Sequence, residues 1–124
     1  MADASDKRLF PRTPDAFMAT YTVRSPFAVY TQLSGRECDA LAYDISEGGV
    51  ALATQFDIPM KAVILLKFNL FNASGPRKFS LESEVRYAEP IPKDNSFRLG
   101  ILFLKIGKED KAFIAEYVRT HRSA

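Results

Sequence analysis

Two short stretches carry residue types able to hold a charged ligand. In "DISEGGVAL", Asp44 to Leu52, an acid, a hydroxyl and two adjacent glycines stand directly ahead of an apolar run. An aspartate at a strand end accepts hydrogen bonds from a nucleobase N–H or an arginine. Ser46 supplies a small hydroxyl that reaches a phosphate or caps a backbone turn. Gly49 permits positive φ and, lacking a Cβ, allows a ligand close to the backbone. The same residues also make an ordinary Asx or Ser turn between strands. Near the N-terminus, "RLFPR" holds Arg8 and Arg12. In an extended chain they stay within about 14 Å of each other, at about 3.5 Å per residue; in a helix they share a face. Guanidinium forks match phosphate oxygens and the O6/N7 edge of guanine, and they stack on bases. Such a pair in a polar tail is otherwise simply solvated.

Other chemistry is hard to assemble. Cys38 and His121 are the only cysteine and histidine among 124 residues, so the chain has neither an internal disulfide nor a common zinc pattern. Cys38 reads as a small buried hydrophobe. Fifteen acids are scattered with no spacing that singles out a catalytic pair, and a formal net charge of +2 is too weak to argue for nucleic acid. The longest apolar runs, Ala62 to Leu66 and Ile101 to Leu104, are far too short to span a bilayer. The start "MADASDKR" has no apolar signal-peptide core. The expectation is a cytoplasmic protein, not an enzyme, with no cofactor and no membrane insertion.

The elements that must position these residues are strands. In "KFSLESEVRY", Phe79, Leu81, Val85 and Tyr87 alternate with polar residues, which predicts a strand with one buried face. "SFRLGILFLKI" places Phe97, Leu99, Ile101 and Phe103 on one face, and "KAVILLKFNL" does the same with Ile64, Leu66, Phe68 and Leu70. "AFMATYTV", "ECDALAY" and "GVALAT" read as three more strands. "NASGPRK", with Gly75-Pro76 as its breaker, and "EPIPKDNS" read as turns. Six short strands joined by turns point to an antiparallel barrel or sandwich. From Lys108 to Arg122, Phe113, Ile114, Tyr117 and Val118 form a helical apolar stripe, with acids in the first turn and bases in the last. This helix is expected to cover an open end or face of the barrel. Residues 1–15 contain Pro11 and Pro14 and read as an extended, mobile arm; residues 16–124 read as one domain.

R-x-x-x-R at Arg8 to Arg12, then D-x-S-x-x-G at Asp44 to Gly49, on a six-strand pattern with a trailing helix, resembles the PilZ domain family over nearly the whole chain. "RLGILF" looks like that family's last barrel strand. The resemblance implies a six-stranded antiparallel β-barrel with a C-terminal helix, and a bacterial receptor for the second messenger cyclic di-GMP. It further implies that Arg8 and Arg12 grip guanine edges and phosphates, that Asp44 and Ser46 contact a guanine and its neighbouring phosphate or sugar, and that Gly49 makes room. Arg86, on the polar face of its strand, is a further candidate contact. Lys7 beside Arg8 bears on whether one ligand or two bind. The connection "RSPFAVYTQLSGR" is long and contains Pro26, a departure from the family's usual pattern. Ligand binding is expected to fold the arm onto the barrel and alter a surface that an unidentified protein partner reads. The alternative is an adaptor of the same fold that binds protein but no nucleotide. A nucleic-acid-binding barrel needs exposed aromatics among Lys and Arg, whereas the Phe and Tyr residues fall mostly on core faces.

Overall fold

Alternation of apolar and polar residues is converted into six strands and two helices. In chain order these are β1 (Phe17–Ser25), α1 (Phe27–Gln32), β2 (Cys38–Tyr43), β3 (Gly49–Thr54), β4 (Val63–Asn72), β5 (Gly75–Ile91), β6 (Ser96–Phe103) and α2 (Lys108–His121). This computed structural model describes residues 16–121. The strands close into a barrel in the order β1-β2-β3-β6-β5-β4, every neighbouring pair antiparallel. Closure leaves no sheet edge exposed. Neighbours in sequence are neighbours in the barrel except at β3 to β4, where residues 55–62 cross one end and bury Ile58 and Ala62.

The inward faces are those anticipated for β4 and for Leu99, Ile101 and Phe103 of β6. Each fully buried Leu or Ile stabilises the fold by roughly 1.5–3 kcal/mol. The end opposite the 55–62 crossing is filled by aromatic rings. Phe68 stacks on Phe79 at 4.8 Å, lies 5.5 Å from Phe17 and 6.4 Å from Phe103. Against this cluster α2 buries Ile114, Tyr117 and Val118, with Phe113 edge-on to Phe79 at 5.8 Å and Tyr117 edge-on to Phe17 at 6.5 Å. Arg77 of β5 fastens the start of α2, donating to Asp110 at 2.7 Å and lying 3.8 Å from Glu109. The helix therefore caps a barrel end, as its stripe requires.

Four features depart from the sequence reading. Glu89–Ile91, read as part of a turn, continue β5 and pair with Ser96–Arg98 of β6. Gly75 and Pro76 do not break the strands. The hairpin turns at Ala73–Ser74, where the Asn72 side chain accepts from the Ser74 N–H at 2.7 Å, and Pro76 already pairs with Phe71. At the first residues of a strand a missing N–H is tolerated. The long connection after β1 folds into the short helix α1. Tyr87 points outward, 40% exposed, because the register slips between Val85 opposite Ile101 and Tyr87 opposite Gly100. The extra residue, Arg86, is a β-bulge that moves every later residue to the other face.

A buried side-chain pair crosses the barrel. The Tyr21 hydroxyl, with Tyr21 wholly buried, bonds Thr54 Oγ1 at 2.8 Å, and Thr54 Oγ1 lies 3.5 Å from the Asp39 carbonyl oxygen. Burial pushes the Tyr21 phenol far above its ordinary value. Thr54→Val should reduce the unfolding free energy by about 1–3 kcal/mol, because a buried phenol loses its partner, while Tyr21→Phe with Thr54→Val should cost less than Thr54→Val alone. Urea denaturation measures both. The same burial fixes a pH dependence. The unfolded phenol ionises near pH 10 and the folded one only higher, so this part of the stability is whole below about pH 10 and is lost as pH rises further. Denaturant midpoints across alkaline pH should fall, and fall less in Tyr21→Phe.

Candidate ligand-binding site

Tyr43 ends β2, and Asp44 then takes a left-handed conformation at φ 58° that aspartate tolerates. Ile45 is wholly buried and is the pin of the turn: it anchors the segment in the core cluster and leaves its neighbours Asp44 and Ser46 flanking it. The Ser46 N–H donates to the Gly49 carbonyl at 2.8 Å. The Ser46 hydroxyl accepts from the Gly48 N–H at 3.3 Å and donates to the Gly49 carbonyl at 3.4 Å. The Gly48 carbonyl in turn accepts from the Phe103 N–H at 2.9 Å, which ties the turn to the end of β6. These bonds use the Ser46 and Gly48 N–H groups and the Gly48 and Gly49 carbonyls, and so hold the turn against β6.

The glycines divide the work differently from the sequence expectation. Gly49 does not occupy the positive-φ region; Asp44 does. A Cβ at Gly49 would lie 1.9 Å from the Ile101 carbonyl oxygen, so it is the backbone of β6, pairing through Leu102, that excludes any side chain there. Gly48 faces open space, with no atom within 4 Å of where its Cβ would be. Room beside the turn is therefore at Gly48.

Asp44, Ser46 and Gly49 come together on this one turn. Arg86 does not join them closely. It sits on β5, an exposed side chain 3.6 Å from Glu84, and β6 intervenes before β3, the strand that Gly49 begins, a span of about 10 Å at about 4.8 Å per strand. Arg8 and Arg12 lie outside the described residues. Their reach is still bounded by the chain: Phe17 pairs with Ala42, so β1 begins beside the end of β2 that leads into Asp44. Arg12 precedes Ala16 by four residues, at most about 14 Å of extended chain. The start of β1, the Asp44–Gly49 turn and α2 all gather at one end of the barrel.

Sequence reasoning did not single out Tyr43 or Arg98, which share the outer face next to the turn. The Arg98 guanidinium lies over the Tyr43 ring at 5.7 Å, and burial pushes the Tyr43 phenol above its ordinary value. The available signal was alternation: Arg98 stands one residue from the inward Leu99, and Tyr43 one from the inward Ala42. Among the described residues no group of three or more His, Cys, Asp or Glu is placed to hold a metal, and no helix is long and apolar enough to cross a membrane.

This fold and turn define a class. The family model for the PilZ domain matches residues 6–120, and the chain belongs to the PilZ domain family. PilZ domains generally are receptor domains for cyclic di-GMP. Among solved structures, the chain is similar to the Bacillus subtilis inhibitor of motility MotI/DgrA, with a TM-score of 0.74 at 20% identity over 92% of this chain. It spans only 50% of that chain. It is also similar to the PilZ domain of YcgR from Escherichia coli, a structure with c-di-GMP, with a TM-score of 0.61 at 14% identity over 93% of this chain and 91% of that one. No curated protein matches by sequence.

Because Gly49 is held by β6 and Ser46 by its own turn, their substitutions should separate. Gly49→Ala should lower stability by about 2 kcal/mol or more, since backbone on both strands must shift. Ser46→Ala loses one weak hydroxyl pair and should cost about 1 kcal/mol or less. Thermal and urea denaturation of the two variants measure the difference.

Proposed function

We propose that this chain is a cytoplasmic bacterial receptor for cyclic di-GMP, held between the Asp44–Gly49 turn and the arm that carries Arg8 and Arg12. The observation that carries the reading is convergence: the arm enters β1 at the barrel end where the rigid turn presents Asp44 and leaves space beside Gly48. Asp44 accepts from guanine N–H groups, and Ser46, whose hydroxyl proton goes to the Gly49 carbonyl, offers its remaining acceptor capacity to a sugar hydroxyl. Arg8 and Arg12 supply positive charge for the two phosphates and planar forks for guanine edges. Two phosphates attract the arm across the end of the barrel, and ordering it there creates a surface for a downstream protein. α2 packs at that same end, so such a surface includes it.

The reading supports no catalysis: the residues bind and orient, and the output is a changed surface. A second reading, an adaptor that binds protein and no nucleotide, is favoured by one observation. Ser46 and Gly49 both serve the barrel itself, so the motif suits the fold with or without a ligand.

Substitution at the two sides of the site discriminates these readings. Arg12→Ala and Asp44→Ala should each weaken binding of a fluorescent cyclic di-GMP analogue at least tenfold, about 1.4 kcal/mol, with circular dichroism unchanged. Undiminished binding by folded Arg12→Ala protein would remove the arm from the mechanism. Hydrogen exchange at residues 1–15 should slow when ligand is added, and unchanged exchange there would contradict the ordering step.

A further inference from the structure

The outer face of β2, β3 and β6 beside the turn differs from a plain solvated sheet face. In one row across the strands stand Tyr43, Ala51, Gly100 and Tyr87; in the next stand Leu41, Ala53, Arg98 and Glu89. The floor is made of Ala51, Ala53 and Gly100, and larger side chains rise at its sides. Tyr87 lies across Gly100 so closely that a Cβ there would sit 1.9 Å from its ring. The bulge at Arg86 is what turns Tyr87 onto this face.

Arg98 is the unusual member. A solubilising arginine extends into water with all its N–H groups hydrated. Here the guanidinium lies over the Tyr43 ring at 5.7 Å. Its Nε is buried without a hydrogen-bond partner among the described residues, 3.9 Å from the nearest Glu89 carboxylate oxygen. Burying the Nε donor without an acceptor is unfavourable, and the guanidinium's hydrogen bond to the Tyr87 side chain and its stacking on Tyr43 offset only part of that cost. The side chain remains 38% exposed, so part of the charged group is open to a ligand. The residue after Tyr43 in the chain is Asp44. An acceptor for guanine N–H groups thus adjoins a flat cationic surface of the kind on which purines stack.

Resting on the receptor reading above, we propose that Tyr43 and Arg98 form a base-stacking ledge contiguous with the Asp44–Gly49 turn, on which one guanine of the ligand lies, with Tyr87 as its outer wall. Tyr43 lies beneath the guanidinium and Arg98 makes the contact. Stacking requires the planar guanidinium, which a lysine ammonium does not supply.

Calorimetric titration of the full chain with cyclic di-GMP tests this with four proteins. Wild type should bind saturably. Arg98→Ala and Arg98→Lys should both bind at least tenfold more weakly, and Tyr43→Phe, which keeps the ring, should bind within about threefold of wild type. Thermal melts of all four should be alike to within a few degrees. Arg98→Ala binding within twofold of wild type overturns the ledge, and so does full recovery in Arg98→Lys, which would reduce Arg98 to a point charge near a phosphate. Absence of binding by wild type overturns the receptor reading itself and the ledge with it, so the two failures are distinguishable.

Discussion

The site depends on how closely β3 can lie against β6. At Gly49 the two backbones approach until the Ile101 carbonyl oxygen occupies the position of a Cβ, and only glycine permits that contact. The same approach brings the Gly48 carbonyl to the Phe103 N–H and leaves the Gly49 carbonyl for Ser46. Ile45 then turns inward and Asp44 adopts a left-handed conformation at the end of β2. The turn that carries the candidate site is in this way a by-product of closing a six-stranded barrel. The turn is held by strand pairing alone, so under the proposed function the ordering cost of binding falls outside it.

Much of this was legible in the sequence because period-two alternation is a local signal. Phe79, Leu81, Leu99, Ile101 and the apolar face of β4 announce their orientation by spacing alone, and the stripe of Ile114, Tyr117 and Val118 announces a capping helix. Membership of the PilZ family was legible too, because its motifs fall in order on those strands. Tyr87 was misplaced because a bulge shifts register by one residue and leaves no compositional mark; only the pairing with Gly100 reveals it. Gly75-Pro76 misled for a related reason. These residues usually end a strand, yet at the tip of a hairpin the turn needed only Ala73 and Ser74. Gly49 was read as making room for a ligand, whereas a long-range contact with β6 explains it. Such contacts are invisible to any window of neighbouring residues.

The candidate site was legible in its residues but not in its setting. Asp44 and Ser46 were singled out by type and spacing, and the structure places both on one turn. That β1 begins beside them, and that α2 packs at the same end, follows from barrel topology. The outer ledge of Tyr43, Arg98 and Tyr87 comes from three different strands and appears only when register is known. Arg86, also singled out in the sequence, lies on β5 beside Tyr87, with β6 between it and β3.

The central claim is that a rigid acid-and-hydroxyl turn on this barrel receives a cyclic dinucleotide of guanine. Its most direct test is isothermal titration of the wild-type protein with cyclic di-GMP, with GTP as the control. The account predicts saturable binding at micromolar concentrations or tighter for the cyclic dinucleotide alone, with the stoichiometry reporting one ligand or two. No heat and no shift in melting temperature with either nucleotide would contradict it, and would leave the turn as a structural joint in a protein-binding adaptor.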